Sequence, residues 1–394
     1  MAASIDALLA GGLRGQRVFV RADLNVPIQD GRVGDDTRIR ATLPTLQRLL
    51  DAGARVIVAS HLGRPKGKVD AKYSLAPVAR RLGELLGRPV AFASDCVGAP
   101  AEAAAAALRD GELLLLENLR FHAEEEKNEA GFAAALARLA DAYVNDAFGT
   151  AHRAHASTAG MVPLLARAAA GDLMQRELEQ LRRVLAPERP FLCLLGGAKV
   201  SDKLSVLAAM AQRADAIAVG GAMAYTFLRA QGKPVGASLV EEERVADAQR
   251  VLAAAQAAGH ALLLPTDHVV ARKPEAGAEH RVVKEIPDGW LGVDIGPETA
   301  ARYAAEASRA RTIFWNGPMG IFEIDAFAKG TEAVARAVAA SPAHSVVGGG
   351  DSLAAVNKLG LGGRIAHLST GGGASLEFVE GRELPGVVAL ERAR

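Results

Sequence analysis

The apolar run Phe191-Leu192-Cys193-Leu194-Leu195 stops at Gly196-Gly197, and Ala198-Lys199-Val200-Ser201-Asp202-Lys203 follows. This order suits a polyphosphate site: a buried strand ends, glycines let the backbone approach a ligand, and a helix begins with free N–H groups. Lys199 and Lys203 are four apart and are expected on one face of that helix. Two ammonium groups beside a positive helix terminus call for an anion between them. Alone, the segment also reads as a surface helix with two solvated lysines. It is not a Walker A loop, and it lacks G-x-G-x-x-G.

Further along, Ser345-Val346-Val347 runs into Gly348-Gly349-Gly350-Asp351-Ser352 and a helical stretch, Leu353 to Lys358. Asp351 stands where a helix N-cap is expected, and a carboxylate beside phosphates is a usual magnesium ligand. Leu368-Ser369-Thr370 runs into Gly371-Gly372-Gly373-Ala374-Ser375, a third strand–glycine–helix transition. Gly220-Gly221 could admit a flat base or serve close helix–sheet packing. Glu323, closing the turn-rich loop from Trp315, could bind ribose hydroxyls or be a plain surface acid.

A second set of residues follows the strand-like runs of the N-terminal half. Asp23 and Asn25 come after the first run, His61 and Arg64 after the second, Arg120 after the third, and Arg153 after the fourth. Arg38 lies in the polar segment before the first helix. Four arginines on one rim call for bound anions, and arginine grips phosphate or carboxylate through a planar fork. Each alone could instead pair with an acid such as Asp36 or Glu117. Asp23 and Asn25 are too few to hold a metal and suit a substrate hydroxyl. His152 and His155 read as loop hydrogen-bonders.

The elements that must position these residues alternate in type. Strands are expected at 17–20, 55–59, 112–116 and 142–144, with helices near 44–52 and 75–86 between them. The grammar restarts at 191–195 and recurs at 216–219, 261–264, 312–315, 345–347 and 365–368. Continuous apolar strands separated by helices indicate parallel sheets covered on both faces. The polar stretch 172–185 has helical spacing and ends at Pro187 and Pro190, so it reads as a connecting helix. The expected division is a lobe at 1–171, a connector at 172–187, and a second lobe at 188–375. In such sheets ligands bind beyond the carboxyl ends of the strands, where both residue sets lie.

The chain has 394 residues, half of them hydrophobic and only 4% aromatic, with a formal charge of +1. That size predicts two or three domains. The near-neutral charge argues against bulk attraction to nucleic acid or membrane. Two cysteines, Cys96 and Cys193, lack metal-ligand spacing and suggest a reducing compartment without disulfides. No basic, apolar leader opens the sequence, and no run approaches the roughly 20 apolar residues of a membrane span. A cytoplasmic protein is expected.

Taken in order, R-A-D-L-N-V-P, D-D-T-R-I-R, S-H-L-G-R-P-K-G, E-N-L-R-F, N-D-A-F-G-T-A-H-R-A-H-A-S, L-G-G-A-K-V-S-D-K, W-N-G-P-M-G-I-F-E, G-G-G-D-S and S-T-G-G-G-A-S-L-E resemble the phosphoglycerate kinase family from Val18 to Leu390. The resemblance implies an α/β fold of two Rossmann-like lobes, with the tail 376–394 packing back on the first. It implies a monomeric glycolytic kinase that moves a phosphoryl group between ATP and the carboxylate of 3-phosphoglycerate. It places Asp23, Asn25, Arg38, His61, Arg64, Arg120 and Arg153 at the acid substrate. Lys203, Glu323 and Gly349, Gly350, Asp351 and Ser352 fall at the nucleotide, with Asp351 on the Mg2+ of Mg-ATP or Mg-ADP. Lys199 and Gly221 are assigned to the nucleotide side from their own loops. Ser352 departs from a frequent threonine but keeps the hydroxyl.

The acceptor carboxylate is already ionised at neutral pH, so the absence of an obvious base fits. Arg38 and Lys203 are expected to flank the transferring group, with the lobes closing to exclude water. An NAD-dependent oxidoreductase is disfavoured by the missing dinucleotide fingerprint. A non-catalytic sugar-phosphate sensor is disfavoured by the presence of Lys203 and Asp351.

Overall fold

A computed structural model describes residues 2–393. The chain divides into two compact units, 1–179 with 383–394, and 180–382. The division falls inside the helix Asp172–Leu185, and the returning tail starts at Glu383 instead of 376.

The first unit holds β1 (Arg17–Ala22), β2 (Arg55–Ala59), β3 (Val90–Phe92), β4 (Leu113–Leu115), β5 (Ala142–Asp146) and β6 (Ala168–Ala170). They form one sheet in the order β3-β4-β2-β1-β5-β6, every pair parallel. The central strands are buried along nearly their whole length, as their unbroken apolar runs require. Val18, Val20, Val56, Val58 and Val144 join Ile39, Leu46 and Leu49 of the helix Thr37–Asp51 in one core. Full burial of each such side chain is worth roughly 1.5–3 kcal/mol.

That helix corrects one expectation. It starts at Thr37, not near Pro44, and carries Pro44 in its interior. Proline suits a first helical position, but here burial of Ile39, Leu46, Leu49 and Leu50 sustains the helix across the missing N–H. Arg38 therefore stands on a helical first turn and not in a loop. Strands β3 and β6 were not expected, being three residues each and partly exposed or alanine-rich.

The second unit holds β7 (Phe191–Leu195), β8 (Ala216–Val219), β9 (Ala261–Leu263), β10 (Thr312–Asn316), β11 (His344–Gly348) and β12 (His367–Leu368). Their order is β9-β8-β7-β10-β11-β12, again all parallel. A three-stranded antiparallel sheet, 268–271 with 280–283 and 291–295, was not foreseen. Its strand His280–Val283 is mostly exposed and lacks the apolar run that marks the others.

Asp146 ends β5 in full burial and accepts hydrogen bonds from the Leu173 and Met174 N–H groups, the first turn of the connecting helix. Burial pushes its carboxyl up to about 7. An acid raised in the fold binds a proton there more readily than in the unfolded chain. Its contribution to stability therefore falls as pH rises from about 4 to about 7, and levels off above that. Asp146→Asn keeps the accepting oxygen and removes the charge. The variant should gain on the order of 4 kcal/mol over the parent at pH 8, and less than half of that at pH 5, in denaturant unfolding. An equal difference at both pH values would rule out a raised Asp146.

Candidate active site

In each sheet the strand order reverses beside the first strand, between β1 and β5 and between β7 and β10. Loops diverge at such points and leave a crevice beyond the strand ends. The two candidate sets sit there, one in each unit.

In the first unit, Arg38 Nη1 donates to both carboxylate oxygens of Asp23, each at 3.1 Å. Asn25 Oδ1 accepts from the Gly63 N–H at 2.9 Å, tying the loop after β1 to the turn after β2. Arg120 is almost fully buried and donates through Nη1 to the Gly63 carbonyl at 2.9 Å. Its Nε stands 3.3 Å from Glu126 without an aligned hydrogen bond. None of these arginines uses Asp36 or Glu117. Asp36 holds Arg40 and Arg81, and Glu117 accepts from Ser74 and the Leu75 and Asn118 N–H groups.

His61 is buried, and burial together with the charges of Arg21, Arg120 and Arg38 drives its pKa well below the ordinary value. His155 is lowered to about 3, by burial first and then by Arg21, Arg120 and Arg153. Both rings are therefore neutral, and their depression records how closely the cations crowd. Arg38, Arg120, Arg153, His61 and His155 thus form one positive neighbourhood. Arg153 is exposed and bonds His152 through Nε at 3.2 Å. Arg64 is also exposed, one residue beyond the Gly63 turn. The tail braces the loop that carries Arg153, since the Gly386 N–H donates to the Ala151 carbonyl.

Sequence reasoning missed Arg21 and Glu125. Arg21 is a fully buried guanidinium within β1; its Nε donates to Ser157 Oγ at 2.8 Å, and its Nη2 lies 3.4 Å from His61 Nδ1. Glu125, also fully buried, accepts from the Ser157 N–H at 2.9 Å and from the Ser157 hydroxyl. Ser157 thus bridges an opposed buried pair. Expected in the loop after the first strand, Arg21 instead belongs to β1, and its partners lie far away along the chain.

In the second unit the opening motif departs from expectation. Residues 198–203 form turns, and the helix begins only at Leu204. Ser201 gives its N–H and hydroxyl to Glu241 at 3.0 and 2.6 Å, a local competitor to helical bonding. Lys199 and Lys203 therefore do not share a helix face. Lys199 is exposed, whereas Lys203 is half-buried and bonds Asn316 Oδ1 at the end of β10. Burial lowers the Lys203 pKa, with Asp202 and Asp351 acting in the opposite direction.

Asn316 is a second residue not singled out beforehand. Its Nδ2 is buried without a hydrogen-bond partner and faces Gly349, where an added Cβ would lie 3.1 Å away. Gly349, at φ 90°, is the N-cap of the helix Gly350–Lys358, so Asp351 is a first-turn residue and not the cap. The Asp351 carboxylate is exposed beside this helix start. Ser352 is fully buried, its hydroxyl accepting from the Gly317 N–H at 2.6 Å. Backbone packing accounts for the other glycines: a Cβ at Gly196 would strike the Pro318 carbonyl, and one at Gly221 would strike Gly197. Glu323 is exposed at the end of the loop after β10.

The family model described as phosphoglycerate kinase matches residues 8–382. A phosphoglycerate kinase of Moorella thermoacetica is 61% identical over 381 residues, 96% of this chain and 97% of that one. One from Anaeromyxobacter dehalogenans is 57% identical over 394 residues, 98% of this chain and 99% of its own. Among solved structures, phosphoglycerate kinase from Coxiella burnetii superposes with a TM-score of 0.90 at 42% identity, covering 100% of both chains. That from Pyrococcus horikoshii gives 0.86 at 36% identity, covering 99% and 98%. With matches spanning nearly its full length and two parallel-sheet units built alike, the chain belongs to the phosphoglycerate kinase family.

Proposed function

We propose that the family's reaction, phosphoryl transfer between ATP and the carboxylate of 3-phosphoglycerate, runs in this chain through Arg38 and Lys203. The kinase activity follows from the family; the assignment of roles is supported by the geometry of each half. The observation that carries it is the crowding of Arg38, Arg120 and Arg153 around two neutral histidines.

In the first unit, Arg120, Arg153 and Arg64 hold the phosphate and carboxylate of the acid substrate through charge-assisted bonds. Asp23 and Asn25 serve its hydroxyl, and neutral His61 donates a hydrogen bond without competing for a proton. The attacking oxygen belongs to a carboxylate that is ionised at neutral pH, so no base is called on. In the second unit, Lys203 neutralises charge on the moving group, the Asn316 amide and the helix start at Gly349 and Gly350 donate to phosphate oxygens, and Glu323 serves the ribose. Lys199 adds to the positive potential. Gly221 keeps its loop low enough for a base to lie above it.

The residues present fit a magnesium ion. One exposed carboxylate, Asp351, stands beside donors suited to phosphate, the partial protein coordination that Mg2+ accepts when phosphates supply the rest. When bound, Mg2+ supplies charge neutralisation on the phosphates. Asp351→Asn should raise the magnesium concentration needed for half-maximal rate by about tenfold or more, while 3-phosphoglycerate still binds to the first unit. A coupled assay for 1,3-bisphosphoglycerate formed from ATP and 3-phosphoglycerate tests the whole reading. Formation that depends on both substrates and on magnesium is expected, and no product under those conditions would overturn it. No helix among the described residues is long and apolar enough to cross a membrane.

A further inference from the structure

Outside both halves of the site, three side chains of differing metal-ligand type converge in the first unit. Asp95 and Cys96 lie in the loop that leaves β3, and His122 follows the short turn Leu119–Phe121. One ligand atom from each lies within 4.8 Å of the other two. The three are joined to one another through Asp95, with one aromatic ring packed on the histidine. The Cys96 N–H donates to Asp95 Oδ1 at 2.6 Å, His122 Nε2 stands 2.7 Å from the same oxygen, and the Phe132 ring flanks the imidazole at 5.2 Å. Cys96 is fully buried, while the Asp95 and His122 side chains are 39% and 28% exposed, so the cluster has an inner sulfur and an outer, solvent-facing side.

We propose that Asp95, Cys96 and His122 form a binding site for a zinc-class divalent cation, with the remaining position taken by water. The donor set decides the class. One sulfur, one imidazole nitrogen and one carboxylate oxygen suit Zn2+ or its spectroscopic stand-in Co2+, whereas Mg2+ and Ca2+ prefer all-oxygen shells. Tetrahedral coordination with bonds of about 2.0–2.3 Å places ligand atoms roughly 3.3–3.8 Å apart, so closing the site takes shifts on the order of an ångström. Entry of the cation breaks the S–H bond, forms a sulfur–metal bond and releases that proton to solvent, while the proton that His122 Nε2 shares with Asp95 moves to Nδ1 so that Nε2 can bind, with no change of oxidation state.

The location gives the ion a route to the substrate half. His122 is two residues beyond Arg120, and Asn118 holds the intervening turn through the Arg120 N–H and the Leu62 backbone. Fixing His122 to the β3 loop fixes the end of that turn.

The test uses the full-length reduced protein without nucleotide or magnesium, titrated with Co2+ and then with Zn2+. A near-ultraviolet thiolate-to-cobalt charge-transfer band is expected, saturating at one ion per chain, bleached by Zn2+ and accompanied by one released proton. Cys96→Ala should abolish the band. Cys193→Ala should keep it, since the other cysteine is buried in the centre of β7. His122→Gln and Asp95→Asn should each weaken Zn2+ binding by about tenfold or more. Absence of the band in the parent, or its survival in Cys96→Ala, would overturn the site. Should Cys96→Ala fail to fold, His122→Gln decides alone, with unchanged Zn2+ affinity counting against the proposal.

Discussion

Arg38→Ala is expected to lower kcat by about 10²- to 10³-fold, or roughly 2.7–4 kcal/mol of transition-state stabilisation, with the KM for 3-phosphoglycerate changed less than tenfold. The split follows from where Arg38 stands. It occupies the first turn of the helix Thr37–Asp51, and its Nη1 is committed to both oxygens of Asp23. That anchor fixes the plane of the guanidinium while its remaining donors stay available, and the side chain is 39% exposed. Arg120, by contrast, is buried and bonded to the Gly63 carbonyl, and on the proposed reading it holds ground-state substrate. With Arg120, Arg153 and Arg64 retained, binding survives the loss of Arg38, whereas charge on the moving group goes unmatched. Arg38→Lys should recover only part of the rate, because a single ammonium nitrogen lacks the planar fork whose separate nitrogens reach Asp23 and the transferring group from fixed directions. Steady-state kinetics in 3-phosphoglycerate decide the matter. A near-normal kcat with a strongly raised KM would make Arg38 a ground-state ligand.

How far such assignments can be read from sequence depends on the reach of the interactions involved. The central strands were legible because burial on both faces demands unbroken apolar runs, and β2, β7 and β8 fall where those runs lie. The loop positions of Asp23, Asn25, His61 and Arg64 were legible for a related reason: polar residues directly after a parallel strand must sit at its carboxyl edge. What escaped was set by partners distant in the chain. Nothing near Ser201 announces that Glu241 will capture it, so 198–203 passed for a helix. Arg21, expected in the loop after the first strand, lies within β1, and it was not singled out because Ser157 and His61, which meet its N–H groups, come from other loops. Asp351 passed for a cap because side-chain preference favours it there, whereas a positive φ at position 349 gives that place to glycine. The small antiparallel sheet was missed because His280–Val283 has little apolar surface to show.

Lys203→Ala is expected to lower kcat by about 10²- to 10³-fold, while Lys199→Ala changes it by no more than a few-fold and acts mainly on the KM for nucleotide. The structure separates two lysines that spacing alone made equivalent. Lys199 is exposed and its charge is screened by water, so its effect on a bound phosphate is diffuse. Lys203 is half-buried against Asn316, and burial lowers its pKa, so its ammonium is poorly solvated until an anion arrives. A desolvated cation fixed by one hydrogen bond reorganises little when charge develops beside it, which is the condition for strong transition-state stabilisation. The same desolvation supplies a control. A base whose folded-state pKa is depressed costs stability below that pKa, so Lys203→Met, which fills the space without the charge, should leave Tm unchanged or raise it. Loss of turnover in a variant that melts no earlier than the parent cannot be ascribed to a damaged fold. Equal losses in Lys199→Ala and Lys203→Ala would instead mean that the pair acts only through summed potential, and the individual role of Lys203 would fall.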